Sequence, residues 1–397
     1  MTWRERVVDF FGLQKSIVAM LLMVILVGLG EKMAERFLPI YLLALGGGIL
    51  SVGFLNAMDN LLSALYSYPG GYLSEHLGYK RALVVFNLIA MFGYLIVILF
   101  PHWVAVIVAA AFFLSWTAIS LPATMGLVSR TLPQGKRTMG VSVHSLVRRI
   151  PMALGPVIGG VLIGVYGEKT GIRLAFCAAL LLAIVSLFIQ QAMIEDDRAR
   201  GTAEKQPSRL WRRMSPDLRN LLVSDILIRF AEQIPYAFVV IWCMKNNGIS
   251  AVQFGLLTTV EMMTAMFIYI PVAYLADRTT KKPFVLITFV NFTLFPLFLL
   301  FSHSFGMMVI AFVIRGLKEF GEPTRKALIM DLAPEDQKAG MFGLYYLIRD
   351  VIVSGAAFAG GFLWQLSPAV NLLAATGCGL IGTVYFALRG RDLKGSQ

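Results

Sequence analysis

Pro69-Gly70-Gly71-Tyr72-Leu73-Ser74-Glu75-His76-Leu77-Gly78-Tyr79-Lys80-Arg81 lies between two long apolar runs. A degenerate copy, Pro271-Val272-Ala273-Tyr274-Leu275-Ala276-Asp277-Arg278-Thr279-Thr280-Lys281-Lys282, lies between two more. Pro69 and Pro271, Leu73 and Leu275, and Glu75 and Asp277 each stand 202 residues apart. Gly53 and Gly255 keep that spacing upstream, as do the carboxylates Asp59 and Glu261. Five matches at one offset read as a duplicated half.

The composition names the solvent. Hydrophobic residues make up 57% of the 397 and charged ones 15%, too little polar surface for a soluble chain of this size. The apolar residues come in runs of roughly 18 to 25, the length that crosses ~30 Å of hydrocarbon as helix. The expectation is an all-α polytopic membrane protein in contact with lipid. The first run is long, carries Glu31 and Lys32 and lacks a small-residue cleavage site, so it does not read as a signal peptide. Cys177, Cys243 and Cys378 stand alone in separate segments, which gives neither a disulfide framework nor a metal motif, and no cofactor is expected. A net charge of +12 could suggest nucleic acid, but most Lys and Arg fall in short connections between apolar runs. That distribution is a mark of membrane topology, and nucleic acid is not an expected partner.

Twelve spans follow, at about 16–44, 50–74, 82–100, 103–128, 139–166, 171–194, 218–244, 250–276, 284–302, 304–330, 339–365 and 368–389. Connections after even-numbered spans hold Lys80, Arg81, Arg130, Lys136, Arg137, Arg212, Arg213, Lys281, Lys282 and Lys338. Those after odd-numbered spans are nearly free of basic residues, apart from Lys245 and the loop with Lys169 and Arg173. The positive-inside rule then puts both termini in the cytoplasm. A polar stretch at 195–217 separates a six-helix half, 1–194, from a second, 218–397. The repeat continues at an offset of 201, with Pro122 matching Pro323, Arg148 matching Arg349, and Gly159-Gly160 matching Gly360-Gly361. Two halves of like orientation are parallel repeats, and folds of that kind place the substrate near the midplane.

This arrangement resembles the major facilitator superfamily over essentially the whole chain. The stretch Gly71 to Arg81 is similar to the family's signature between spans two and three, with Glu75 for the usual Asp and His76 for the usual Arg. The resemblance implies a cytoplasmic latch formed by Gly71, Glu75, Gly78, Lys80 and Arg81, with Asp277-Arg278 as its echo. A carboxylate near a helix end is suited to pairing with a facing terminus or Arg. Gly155-Pro156-Val157-Ile158-Gly159-Gly160 resembles the G-P-x-x-G-G element of the exporter branches, where it is linked to proton-coupled antiport. Its physical effect is a kinked helix with a small face that a neighbour can approach closely. One departure is that Phe112 to Gly126 lacks the Arg that such exporters carry in span four. Arg315 in span ten is its candidate counterpart.

Ionisable groups inside hydrocarbon cost several kcal/mol and normally face a cavity or a partner. Span one carries Glu31, Lys32, Glu35 and Arg36; span seven carries Asp225, Arg229 and Glu232 on one stripe. In span ten, Arg315, Glu319 and Glu322 are expected to share a stripe, with Lys318 set to pair with Glu322 and Pro323 kinking the helix. The resemblance places spans one, four, seven and ten around the central cavity, which puts the candidate site among Glu31, Glu35, Glu232 and Glu319. Glu31 and Glu319 are the main coupling candidates, tuned by Arg36 or Arg315. Asp59 and Glu261 suit charge contacts between the halves near the outer gate, or the cap of an aqueous vestibule. Arg148, Arg349 and Asp350 suit gating or structural pairing. Trp116 is among the aromatics that could stack on substrate, and His144 is placed to shuttle protons. Interhelical pairing that only holds the bundle in register competes with function for each of these charges.

The expected protein is therefore a proton-coupled secondary transporter of a small molecule, working by alternating access as an exporter. It is expected as a monomer in a bacterial inner membrane, with Na⁺ as the other candidate coupling ion. An uptake symporter, a lipid or lysolipid flippase and a non-transporting receptor are the other readings. No Zn-spaced His pair, Gly-x-Ser-x-Gly element or P-loop points to an enzyme or to ATP-driven transport.

Overall fold

A computed structural model describes residues 15–114, 116, 120, 123–124, 127, 134–195, 211–276, 280–333 and 338–391. These residues are helical almost throughout, with no strand among them. Without water to take up backbone N–H and C=O groups, a spanning segment must satisfy them internally, as a helix does. Among the described residues, nine helices are long and apolar enough to cross a membrane: Lys15–Glu35, Ile49–Tyr66, Tyr79–Leu99, Val147–Met193, Pro216–Asn246, Ala251–Ile268, Lys282–Leu300, Met341–Leu366 and Pro368–Arg389. The fourth runs for 47 residues and contains a break at Gly167 (φ 80°, ψ 170°), so it makes two crossings. Two shorter apolar helices, Trp103–Phe113 and Phe305–Leu317, stand where spans four and ten are expected. Twelve crossings result. Large apolar side chains turned outward, such as Phe188 (73% exposed) and Leu388 (78%), suit hydrocarbon and would be costly in water.

Helix starts follow local chemistry. Ser215 and Ser367 each precede a proline, and their hydroxyls accept the N–H of Leu218 at 3.2 Å and of Val370 at 3.1 Å. A hydroxyl at the cap with proline in the first turn satisfies an otherwise orphaned donor without losing a helix bond. Between the second and third spans the chain turns at Gly78 (φ 84°, ψ 152°), a backbone region open in practice only to glycine. Gly78→Ala should cost on the order of 1–3 kcal/mol, seen as a lower melting temperature of the purified protein. This residue of the expected latch thus has a conformational reason to be glycine.

The chain forms two compact units. The first comprises residues 1–47, 62–203 and 250–255; the second comprises 48–61, 204–249 and 256–397. Relative to the contiguous halves 1–194 and 218–397 of the sequence reading, the units exchange two short segments. The paired glycines of the repeat show why. In the first unit, a Cβ added to Gly255 would lie 2.6 Å from the carbonyl oxygen of Pro156, and one on Gly160 would lie 2.5 Å from that of Ala251. In the second unit, a Cβ on Gly53 would lie 3.0 Å from the Cα of Gly361. Gly53 with Gly361, and Gly255 with Gly160, are equivalent crossing points where only hydrogen leaves room for two backbones.

Three spans that carry charge are broken. Span one is Lys15–Glu35 followed by Leu38–Ala44, with a turn at Arg36 and Phe37 and proline in the first turn of the second piece. Span seven is Pro216–Gln233, then a 3₁₀ turn at Tyr236–Phe238 after Pro235, and a π turn at Trp242–Asn246. Span ten is Phe305–Leu317, a turn through Gly321, and Glu322–Leu332. Pro323 therefore opens a new helix in place of kinking a continuous one. The expected stripe of Arg315, Glu319 and Glu322 does not form, because the chain is not helical between them.

Candidate functional site: buried charges in each unit

In the first unit, α1 (Lys15–Glu35) packs along α2 (Gln134–Met193), and small residues set the distance. A Cβ on Gly155 would lie 2.7 Å from the Cβ of Lys32, and one on Gly159 would overlap the carbonyl oxygen of Met33. Gly28 faces Pro151 in the same way, at 3.0 Å. The Gly155-Pro156 motif thus places the backbone of α1 at Lys32 and Met33. Lys32 Nζ donates to Glu31 Oε1 at 3.1 Å and also to Glu35 Oε2. Glu31 is buried, at 3% exposed. Two carboxylates four residues apart share one ammonium, so their protonation and the position of Lys32 are tied together. Arg36 lies in the turn just beyond, half-buried.

A pocket of about 380 Å³, its open mouth included, adjoins this cluster. Glu31, Lys32, Trp116, Ser120, His144 and Arg148 line it, together with apolar groups from α1 and α2. The sequence reading held Glu31, His144, Arg148 and Trp116 as separate candidates, and the fold brings them to one place.

The second unit holds a chain of alternating charges. Arg315 Nε and Lys318 Nζ approach Glu261 Oε1 at 3.3 and 3.4 Å. Lys318 also donates to Glu232 Oε1 at 2.7 Å, and Arg229 donates to Glu232 Oε2 at 2.5 Å. Arg229 reaches on to Glu322 at 3.6 Å. Glu322 accepts both Nη2 contacts of Arg325, at 2.7 and 2.8 Å, and Arg325 pairs in turn with Asp225. Asp225 accepts the hydroxyl of Tyr345 at 3.1 Å and lies 3.4 Å from Arg349, whose Nε donates to Asp350 at 2.7 Å. Aromatic faces complete the lining, with Arg349 4.2 Å from the ring centre of Tyr346 and Arg315 5.0 Å from that of Phe295. Such contacts offset part of the cost of burying cations.

Two expectations change here. Lys318 pairs with Glu232 and Glu261, not with Glu322, because the turn at 318–321 rotates it off the face of the following helix. Glu261 meets Arg315 and Lys318 of its own unit, so it belongs to the buried chain, while its repeat partner Asp59 is half-buried. Glu319 is half-buried in the turn, where its N–H bonds to the carbonyl of Gly316 at 3.2 Å. Of the expected latch, Asp277 and Arg278 lie outside the described residues, as do the side chains of Gly71 and Glu75, and Arg81 is exposed. Lys80 donates to the carbonyl of Gln191 at 3.0 Å, at the end of span six. Lys282, 202 residues on, donates to the carbonyl of Ala387 at 2.9 Å, at the end of span twelve. This second repeat contact was readable from the offset and was missed.

Fold, repeat and buried charge together define a membrane transporter of two six-helix halves. The model of the Major Facilitator Superfamily matches residues 20–220 and 221–396, and the chain belongs to that family. It is 20% identical over 358 residues to an MFS-type transporter of Methanocaldococcus jannaschii, covering 87% of each chain. It is 26% identical over 155 residues to the quinolone resistance protein NorA of Staphylococcus aureus, a match covering 38% of this chain and 40% of that protein. Among solved structures, a mutant of nucleoside transporter NupG superimposes with a TM-score of 0.81 at 10% identity, covering 94% of this chain and all of that one. A POT family transporter in complex with 5-aminolevulinic acid does so at 0.76 and 12% identity, covering 94% and 95%. At such identity these two structures speak to the fold alone.

Proposed function

We propose that the protein is a proton-coupled exporter of a small molecule, with Glu31 and Glu35 as the carboxylates that take up and release the proton. The observation that carries this reading is Glu31, buried at the wall of the first-unit pocket and sharing Lys32 with Glu35. A proton arriving on either carboxylate frees Lys32 to shift toward the other, and a bound solute meets a changed wall. The second unit offers less scope, because five acids and five bases there already alternate in contact. The export direction is supported by the Gly155-Pro156 motif seated on Lys32 and by the partial match to a quinolone resistance protein. Orientation with both termini in the cytoplasm belongs to the same proposal, as does residence in a bacterial inner membrane.

The test is flux of a fluorescent quinolone into proteoliposomes under an imposed pH gradient, with an entrapped pH dye reporting protons. Quinolone and protons are expected to move in opposite directions. Glu31→Gln should reduce gradient-driven accumulation about 10²-fold, the scale of a lost proton-transfer group, while exchange without a gradient survives. Movement of both in one direction would make the protein a symporter. Unchanged coupling in Glu31→Gln would remove that residue from the mechanism.

A further inference from the structure

We infer that the first-unit pocket binds the carboxylate head of a small organic acid, with the indole N–H of Trp116 as the donor that fixes it. The inference rests on the transporter reading and names the substrate class of the same pocket. Trp116 is 4% exposed, lines the pocket, and its Nε1 has no hydrogen-bond acceptor among the described residues. An indole N–H is a donor only. Buried without an acceptor it costs free energy, and a ligand oxygen in the pocket would recover that cost.

The rest of the wall points to an anion. Of the three formally charged groups that line the pocket, Lys32 and Arg148 are cations and Glu31 is the one acid. Glu31 is engaged by Lys32, which also bonds Glu35. His144 and the hydroxyls of Ser120 and Thr124 add groups able to donate. A carboxylate accepts several such bonds at once, whereas an ammonium would leave Trp116 unsatisfied and face the two cations. Val24, Pro151 and Met152 supply an apolar side.

The experiment measures binding, not flux, on the full-length protein in nanodiscs. Three probes share one ring system and differ in the head: 2-naphthoate, 2-naphthylmethanol and 2-naphthylmethylammonium. Naphthoate should bind more tightly than either. Trp116→Phe, which keeps the ring and removes the donor, should weaken naphthoate about 10- to 100-fold, the range for one hydrogen bond to a charged group, and leave naphthylmethanol nearly unchanged. Should Trp116→Phe fold poorly, Arg148→Gln gives an independent reading and is expected to weaken naphthoate selectively. Preference for the ammonium probe, or equal naphthoate affinity in both variants, overturns the inference. If naphthoate binds as expected but no solute crosses the membrane in the flux assay, the site stands and the transporter reading fails.

Discussion

Replacing Arg325 with methionine should lower the melting temperature of the detergent-purified protein by ~10 °C or more, the largest stability effect expected of any single charge here. Arg325 is 1% exposed and joins Asp225 to Glu322, bonding the latter through three contacts. Methionine fits the volume, but two buried carboxylates then lose their shared cation. Breaking a buried pair from one side typically costs ~3–5 kcal/mol, and Arg349, Tyr345 and Arg229 then compensate the two acids only through longer contacts. For a domain of ordinary size each kcal/mol shifts the midpoint by roughly 2–4 °C. Neutralising the acids as well, in Arg325→Met with Asp225→Asn and Glu322→Gln, should recover most of the loss. If the triple variant melts no higher than the single one, the penalty comes from packing and the electrostatic account fails.

The second large effect is expected at Gly159. A methyl group there would overlap the carbonyl oxygen of Met33, which is backbone and cannot swing aside as a flexible side chain would. Gly159→Ala must displace α1 at the residues next to Lys32, and with them the contact to Glu31 and Glu35. Gradient-driven flux should fall by ~10²-fold, as expected when the geometry of a reacting group shifts by about an ångström. Gly164→Ala serves as the control in the same helix. Its Cβ would meet only a side-chain carbon of Val252 at 3.7 Å, so flux should be retained and the helix slightly favoured. Wild-type flux in Gly159→Ala would mean that α1 moves freely at this crossing.

Much of the architecture was readable because membrane helices must be long and apolar, and because a duplication marks its contacts twice. Gly53 with Gly255, and Gly159-Gly160 with Gly360-Gly361, were visible as matched positions, and they lie where backbones cross. The charged residues were equally visible, but their partners were not. Pairing Lys318 with Glu322 assumed four residues of continuous helix, and the turn at 318–321 removed that premise. Hydropathy averaged over a window reads through such breaks, since apolar runs lie to either side of them. Pro39, Pro235 and Pro323 were the signal available, each standing at or just after an interruption. Trp116 and His144 could be named from the sequence, but only tertiary structure puts them on one wall with Glu31.

The exchange of segments between the two units bears on the order in which the protein can be made. A chain leaving the ribosome presents residues 48–61 early, yet these belong with 256–397; the first unit in turn lacks 250–255 until spans seven and eight have emerged. Gly160 has no backbone to pack against before Ala251 is synthesised, and Gly53 waits for Gly361. Neither half is therefore complete as it is born: the first closes once residues 250–255 have emerged, and the second only after span eleven.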